Sequence, residues 1–126
     1  MSNLNQLINQ YSDDIYEKAL EWRRDFHRHP ELGNQEFRTS GIVADYLRQI
    51  GVDEVYDKLA GGTGVLGIIH GAYEGPTVGL RADMDALPIK EDTGLSFAST
   101  DTSTWGDQGT VPVMHACGHD MHTAML

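Results

Sequence analysis

Residues 64–85 read GVLGIIHGAYEGPTVGLRADMD, and this stretch decides the fold class because it holds two strand-like runs separated by a turn. Residues 64–70 are apolar on both faces, which predicts an interior strand. Residues 73–76, YEGP, are typical of a turn. Residues 77–85 alternate apolar and polar side chains, which predicts a second strand. The apolar positions of that second run are Val78, Leu80, Ala82 and Met84.

Helices are predicted on the N-terminal side of these strands. Apolar residues recur at helical spacing through residues 4–27, which indicates one or two amphipathic helices. A further helix is predicted over about 35–50, with Asn34 as its N-cap and Gly51 as the glycine after its last residue. Residues 52–56 then predict a short strand.

The C-terminal side predicts a loop and a last helix. Residues 92–111 are rich in Gly, Ser, Thr and Asp, which favours a long loop, and a helix is predicted from about Asp120. Helices, then strands, then a helix indicate an α/β layer structure. The last helix has no C-cap, and isolated helices this short are marginal. We therefore expect a truncated chain, either an engineered fragment or an interrupted reading frame.

Composition excludes several classes of protein. The chain has 126 residues, which predicts one domain, and 9 basic against 19 acidic residues give a net charge of -10, which disfavours nucleic-acid binding. No apolar run approaches the ~20 residues of a membrane helix. One cysteine excludes an internal disulfide. The N-terminus shows no signal peptide, so a cytoplasmic protein is expected.

The main candidate site lies in residues 114–126, MHACGHDMHTAML. In an extended chain, His115, Cys117 and His119 would share one face; in a helix from Gly118, His119 and His122 would do so. Imidazole and thiolate suit zinc and other late first-row metals. The alternatives are a buried, inert Cys117 among polar histidines, or Cys117 as a nucleophile or redox thiol beside a histidine base.

Two weaker candidates lie elsewhere. Asp83 and Asp85 end the second predicted strand, where they could bind a metal or orient a ligand; alternatively they cap a turn or pair with Arg81. His27 and His29 lie in a basic cluster, which is more typical of a helix C-terminus than of a metal site.

Three segments taken together resemble one family. They are RRDFHRHPELGNQE at 23–36, GLRADMDALPI at 79–89 and MHACGHDMHTAML at 114–126. In this order they resemble the amidohydrolase branch of the aminoacylase/carboxypeptidase family of metallopeptidases, which includes hippurate hydrolases, N-acetyl-diaminopimelate deacetylases and indole-acetyl-amino-acid hydrolases. The resemblance runs from about Trp22 to Leu126.

The resemblance implies a fold and an activity. Residues 1–126 would form the N-terminal segment of a catalytic domain built on a helix-covered mixed β-sheet, without the family's smaller dimerisation or lid domain. The expected cofactors are two divalent metal ions, of zinc, manganese, cobalt or nickel. The expected reaction is hydrolysis of the amide bond of small N-acyl amino acids by a metal-activated water. The resemblance leaves open a homo-oligomer.

The resemblance also implies residue roles. Cys117 and His119 match the family's metal-binding cysteine and histidine. Asp85 matches its catalytic or ligand-orienting aspartate. Asp83 stands where other members have a histidine, so the resemblance implies that it binds the metal or contacts a metal ligand. No further cofactor-binding residue is implied. The family's general-base glutamate and remaining ligands follow the position of Leu126. The chain alone is therefore expected to be inactive, and the alternative is a non-catalytic, metal-binding or self-associating fragment.

Overall fold

The computed structural model describes residues 2–126 of the chain, and the side chains from Asn3 onward. Three α-helices, one short 3₁₀ helix at Gly106–Gln108 and two separate two-stranded antiparallel sheets form an α/β structure, which confirms the predicted class. No helix in this part of the chain is long and apolar enough to cross a membrane. The elements are α1 Ser2–Arg28, α2 Phe37–Gln49, β1 Glu54–Leu59, β2 Gly64–Ile68, β3 Thr102–Thr104, β4 Thr110–Pro112 and α3 His119–Met125.

The long helix α1 confirms the helix predicted over residues 4–27 and is a single helix. Only its second half packs against the rest of the molecule. Trp22 contacts Tyr46 of α2 edge to face, with ring centroids 4.1 Å apart, and Phe26 is buried. The apolar stripe of the first half remains exposed, as Leu4 at 63% and Tyr11 at 65% illustrate.

The start of α2 differs from the prediction. Asn34 is not the N-cap, because it adopts a left-handed conformation with φ of 64° in the preceding turn, and Glu36 occupies the N-cap position. The free N–H groups of the first turn are instead bound by Glu31, whose carboxylate accepts from Arg38 N at 2.9 Å and Thr39 N at 2.8 Å. A carboxylate suits this position because helix N-termini attract negative charge.

The end of α2 is as predicted. Gly51 follows the C-cap Ile50 with a φ of 82°, a conformation that glycine adopts at little cost. Gly51 N donates to Arg48 O and Val52 N donates to Leu47 O, which together form a Schellman motif. This motif turns the chain toward β1.

The hairpin of β1 and β2 lies beside α2. Glu54 pairs with Ile68 and Tyr56 with Leu66, and an irregularity follows Tyr56. The strand predicted at 52–56 therefore begins two residues later and runs further. The predicted interior position of residues 64–70 is wrong, because β2 pairs only with β1 among the described residues and Leu66 is 49% exposed.

The strand predicted over residues 77–85 is wrong. The structure assigns no strand there, and Val78 and Leu80 are each 78% exposed. Pairing begins just afterwards: Ala86 forms a parallel bridge with Leu32, and Leu87 an antiparallel bridge with Met114. Alternation fits an extended chain, but a strand also needs a neighbouring backbone to satisfy its N–H and C=O groups.

The C-terminal third also differs in part. The loop predicted at 92–111 contains the short hairpin of β3 and β4, in which Ser103 pairs with Val111. The last helix is confirmed and begins at His119, one residue before the predicted start. A small buried core brings the bridged segments together, and it is formed by Leu32, Ala86 and Val113. The core therefore lies between the two bridges, next to the candidate site.

Candidate metal-binding site

The centre of the candidate site is the contact between His119 and Asp85. His119 begins α3, and its Nδ1 lies 2.9 Å from the carbonyl oxygen of Asp85 and 3.0 Å from its Oδ1. A ring nitrogen that faces two oxygen acceptors must carry a hydrogen, so Nδ1 donates, and in the neutral ring Nε2 keeps its lone pair. Carboxylates commonly orient metal-binding histidines in this way. The structure thus brings together two residues that the sequence singled out.

Asp83 lies on the Nε2 side of the same imidazole. Its Oδ2 is 3.8 Å from His119 Nε2, while its other carboxylate oxygen pairs with Arg81. The hydroxyl of Thr123 donates to the Asp83 carbonyl at 3.0 Å, which ties residue 83 to α3. Both sequence interpretations of Asp83, as a partner of Arg81 and as a neighbour of the site, therefore describe part of its surroundings.

Cys117 precedes the same helix and carries a free, exposed thiol, so the alternative of a buried cysteine is wrong. The intervening Gly118 has a φ of 77° and occupies the N-cap of α3. Since side chains disfavour that conformation, glycine is the residue that allows the sharp change of direction between Cys117 and His119.

The other two histidines of the segment differ sharply. His115 is buried, and neither ring nitrogen has a hydrogen-bond partner within residues 2–126. Burial lowers the pKa of His115 to about 4, against the opposing effect of Asp120, so the ring is neutral at pH 7. His122 is exposed, with its ring centroid 5.4 Å from that of His119.

A buried group of polar side chains, which sequence reasoning missed, supports the start of α3. His27 Nδ1 lies 2.7 Å from Asp120 Oδ2, and His27 Nε2 lies 3.0 Å from Glu91 Oε1. Arg23 Nε is 3.1 Å from the same Asp120 oxygen. His27 thus binds carboxylates of this chain, while neither Asp120 nor Glu91 stood out in the sequence as an isolated acidic residue.

Glu91 is itself fixed by its own loop. Thr93 donates through its hydroxyl to Glu91, and Ser99 N donates to Oε2 at 2.6 Å. Burial raises the pKa of the Glu91 carboxyl, but the hydrogen bonds from Thr93, Ser99 and His27 outweigh this and hold the pKa below its ordinary value. Glu91 is therefore a carboxylate at neutral pH.

The donor chemistry of the site fits a divalent metal ion in part. His119 Nε2, the Asp83 carboxylate and the Cys117 thiol are ligand types that zinc and related ions accept. In the part of the chain that the structure describes, however, no group of three or more His, Cys, Asp or Glu side chains is arranged to hold an ion. A catalytic metal normally has three protein ligands, so these residues could supply only part of a coordination shell.

The chain also has two cavities whose linings leave out the candidate ligands. A polar cavity of about 550 Å³ is lined by residues that include His29, Glu31, Arg38 and Asp101. An apolar cleft of about 450 Å³ lies between α1, α2, β2 and α3, and its lining includes Trp22, Ile42, Tyr46, Leu66, Leu80 and Met84. Neither lining includes Asp85, Cys117 or His119.

Comparisons with known proteins agree with the sequence resemblance. The model of peptidase family M20/M25/M40 matches residues 79–126. Thermostable carboxypeptidase 1 of Saccharolobus solfataricus is 44% identical over 123 residues, which are 95% of this chain and 29% of that protein. N-acetyldiaminopimelate deacetylase of Anoxybacillus flavithermus is 45% identical over 103 residues, which are 82% of this chain and 25% of that protein.

A solved structure is also similar. The crystal structure of the Bacillus subtilis YXEP protein, described as a dinuclear metal-binding peptidase of the M20 family, matches with a TM-score of 0.75 and 40% identity. The match covers 89% of this chain and 29% of that chain. The present chain thus spans less than a third of the length of each of these three proteins.

Proposed function

We propose, because this chain belongs to peptidase family M20/M25/M40, that it forms part of the active site of a metal-dependent amidohydrolase. The proposed reaction is hydrolysis of the amide bond in N-acyl amino acids or related peptide-like molecules. The observation that carries this proposal is the contact of His119 Nδ1 with Asp85, which leaves Nε2 free to bind an ion. Both residues lie inside the region that the family model matches.

The names of the relatives support the substrate class. One is a carboxypeptidase, one is a deacetylase of an N-acetylated amino acid, and both names describe cleavage of an amide bond. The related peptidase structure is described as dinuclear, which supports two divalent ions at the complete site. Zinc, manganese, cobalt and nickel all remain candidates. Such ions, when bound, supply a Lewis acid and an activated water.

Each residue of the site has a proposed role. His119 Nε2 and the Cys117 thiolate hold metal, and Asp85 orients His119 through Nδ1. Asp83 lies on the Nε2 side of the His119 imidazole, where it either binds the metal itself or contacts another metal ligand. Of the two roles expected for Asp85, catalysis and orientation, its geometry supports orientation more directly, because its carboxylate contacts the histidine.

The chain itself is proposed to bind metal with little or no turnover. Its described residues offer no third ligand in place, and a general base that accepts a proton from water is missing from the identified site. We propose that residues 1–126 are the N-terminal segment of the catalytic domain. The smaller dimerisation or lid domain and the remaining ligands would then belong to the rest of a protein of the relatives' length.

The test is a Co²⁺ titration of the chain, followed by visible absorption, with hydrolysis of N-acetyl amino acids measured in parallel. We expect a thiolate-to-cobalt band that Cys117→Ser removes, and weaker binding in His119→Gln. His122→Gln is the matched control, because it removes an exposed neighbouring imidazole and should leave the band unchanged. A cobalt spectrum insensitive to both Cys117 and His119 would contradict the assignment.

Self-association is a second candidate function, favoured by one observation. Val78 and Leu80 are each 78% exposed beside the apolar cleft, and exposed apolar surface of this kind can bind a second copy. Sedimentation velocity over a range of concentrations tests this candidate. Concentration-dependent dimers that Leu80→Lys abolishes would support it, and a monomer throughout would exclude it.

A further inference from the structure

We propose that His27 is a positioning residue for His119. Its ring lies between the carboxylates of Glu91 and Asp120, fixes the first turn of α3 through Asp120, and so holds His119 against Asp85. The inference deepens the proposed function, and it rests on that proposal only for the role of His119 as a metal ligand. The connection from Glu91 through His27 and Asp120 to His119 does not depend on a metal, so it can be tested in the metal-free chain.

The first step is the environment of His27. The residue is 3% exposed and lies on the last turns of α1. Its two ring nitrogens face carboxylate oxygens on opposite sides, at 2.7 Å from Asp120 and 3.0 Å from Glu91. The ring therefore contacts both carboxylates and joins three distant parts of the sequence.

The second step connects Asp120 with the site. Asp120 is 1% exposed and lies in the first turn of α3, directly after His119. A helix of seven residues has little stability of its own, so tertiary contacts must set its position. The anchors are the buried Asp120 carboxylate, which contacts His27 and Arg23, the Thr123 hydroxyl, which donates to the Asp83 carbonyl, and the buried Ala124. A shift of Asp120 therefore moves His119 relative to Asp85.

The third step is the outer support of His27. Phe97 packs edge to face on the His27 ring, with centroids 5.5 Å apart and an interplanar angle of 79°. The guanidinium groups of Arg23 and Arg24 lie over the Phe97 ring, at 5.0 Å and 5.6 Å from its centroid. The loop that carries Glu91 and Phe97 thus restricts the ring of His27 on two sides.

His29 provides a matched comparison two residues further along the chain. Its Nδ1 lies 3.2 Å from Asp101 Oδ2, so it also joins this part of the chain to a distant carboxylate. Both side chains are about two-fifths exposed, at 41% and 43%, and Asp101 lies outside α3. Loss of this pair should leave the start of α3 in place.

The decisive experiment compares His27→Gln with His29→Gln in metal-free chain, by ¹⁵N NMR of the histidine rings. In the wild type and in His29→Gln, we expect His119 to carry its hydrogen on Nδ1, as the Asp85 contact requires. In His27→Gln, we expect this tautomer to give way to a mixture. Ala44→Gly, a destabilised variant of the buried α2 position Ala44, should keep the single tautomer and so separates positioning from general stability.

Glu91→Gln provides a second, milder variant, because it keeps the contact between His27 and Asp120 and weakens the hydrogen bonds that residue 91 makes with His27, Thr93 and Ser99. We expect a smaller change in the same direction. This variant decides the question if His27→Gln does not fold. Unchanged His119 tautomers in folded His27→Gln, or in folded Glu91→Gln where His27→Gln does not fold, would overturn the inference.

Metal affinity distinguishes this inference from the proposed function. We expect Co²⁺ binding to weaken by about tenfold in His27→Gln and to stay unchanged in His29→Gln, since outer partners of metal ligands commonly have effects of this size. The wild-type chain could bind no Co²⁺ while the His27→Gln variant still loses the single His119 tautomer. That pair of results would refute the metal site and support the positioning role. Normal affinity and tautomer in folded His27→Gln would refute the positioning role alone.

Discussion

The polar cluster and the apolar cleft both include residues of α3, but they are built in opposite ways. The polar cluster consists of His27, Asp85, Glu91, His119 and Asp120, and its contacts at 2.7–3.0 Å join residues 34 to 93 positions apart. The apolar cleft instead leaves large side chains such as Leu66 and Leu80 partly or largely exposed.

This difference shows where the specificity of the molecule resides. Buried charges need partners in defined positions, because an unpaired buried charge costs several kcal/mol. Apolar surface has no such directional requirement, so a cleft can be partly open without a comparable penalty. We therefore expect substitutions in the polar cluster to have large effects, and substitutions at the exposed rim of the cleft to have small ones.

The largest effect is expected for Asp120→Ala. The substitution leaves His27 and Arg23 without their shared carboxylate at a site that is 1% exposed, and breaking a buried pair typically costs 3–5 kcal/mol. Urea denaturation measures the loss. Asp101→Ala is the control and should cost less than about 1 kcal/mol, because its partner His29 is half-exposed. Similar losses of unfolding free energy in the two variants would contradict the expected difference between a buried and a half-exposed pair.

The next effect is pH dependence from His115. Its pKa is about 4 in the folded chain, below the ordinary 6.5, so the unfolded chain binds a proton that the folded chain does not between these values. Stability should therefore fall as the pH is lowered through this window, by up to about 3 kcal/mol at ~1.4 kcal/mol per pKa unit.

Comparison with His115→Leu isolates this contribution. The free energy of unfolding, measured in urea at several pH values, should change less in the variant between pH 6.5 and pH 4. Leucine suits the test because it is uncharged and apolar at a buried position. Parallel pH profiles for the two proteins would show that His115 is not held neutral by burial.

A smaller effect is expected for Asp85→Asn. The variant keeps the backbone carbonyl contact to His119 but weakens the carboxylate contact, so Co²⁺ affinity should fall by about 10- to 100-fold, or about 1.4–2.7 kcal/mol. Calorimetric titration measures the change. Asp92→Asn, an exposed acidic residue on the Glu91 loop, should leave affinity unchanged. Equal losses would indicate a general charge effect.

The smallest effect is expected at the rim of the apolar cleft. Leu80→Lys places a charge on a residue that is 78% exposed, so the free energy of unfolding should change by no more than about 0.5 kcal/mol. Urea denaturation checks this value, with Ala44→Lys as a buried comparison that should be strongly destabilising. A large loss of unfolding free energy in Leu80→Lys would mean that the cleft is closed in solution and that Leu80 is buried there.

Local features of the fold were predictable because their causes are local. The 3.6-residue period predicted α1, and Gly51 predicted the end of α2, since helix periodicity and left-handed glycine act over a few residues. Asn34 was a plausible cap by the same logic. The prediction failed because Glu31, folded back from the preceding turn, provides the acceptors instead.

The sequence predicted which residues make up the candidate site, but it predicted only part of their arrangement in space. The sequence singled out Asp83, Asp85, Cys117 and His119, and the structure places the first two beside His119. It also singled out His27 without its partners. Glu91 and Asp120 could not be recognised, because nothing in a sequence marks which acidic residue will be buried opposite a given histidine.

By itself, the sequence determined the α/β class, the helices and the donor types of the site, because these depend on periodicity, on glycine and on side-chain chemistry. Only the tertiary structure decided that the alternating residues 77–85 form no strand, and that His27 connects Glu91 with Asp120. The reason is that pairing of backbones and burial of charges join distant positions. Their free energy depends on neighbours that local sequence does not specify.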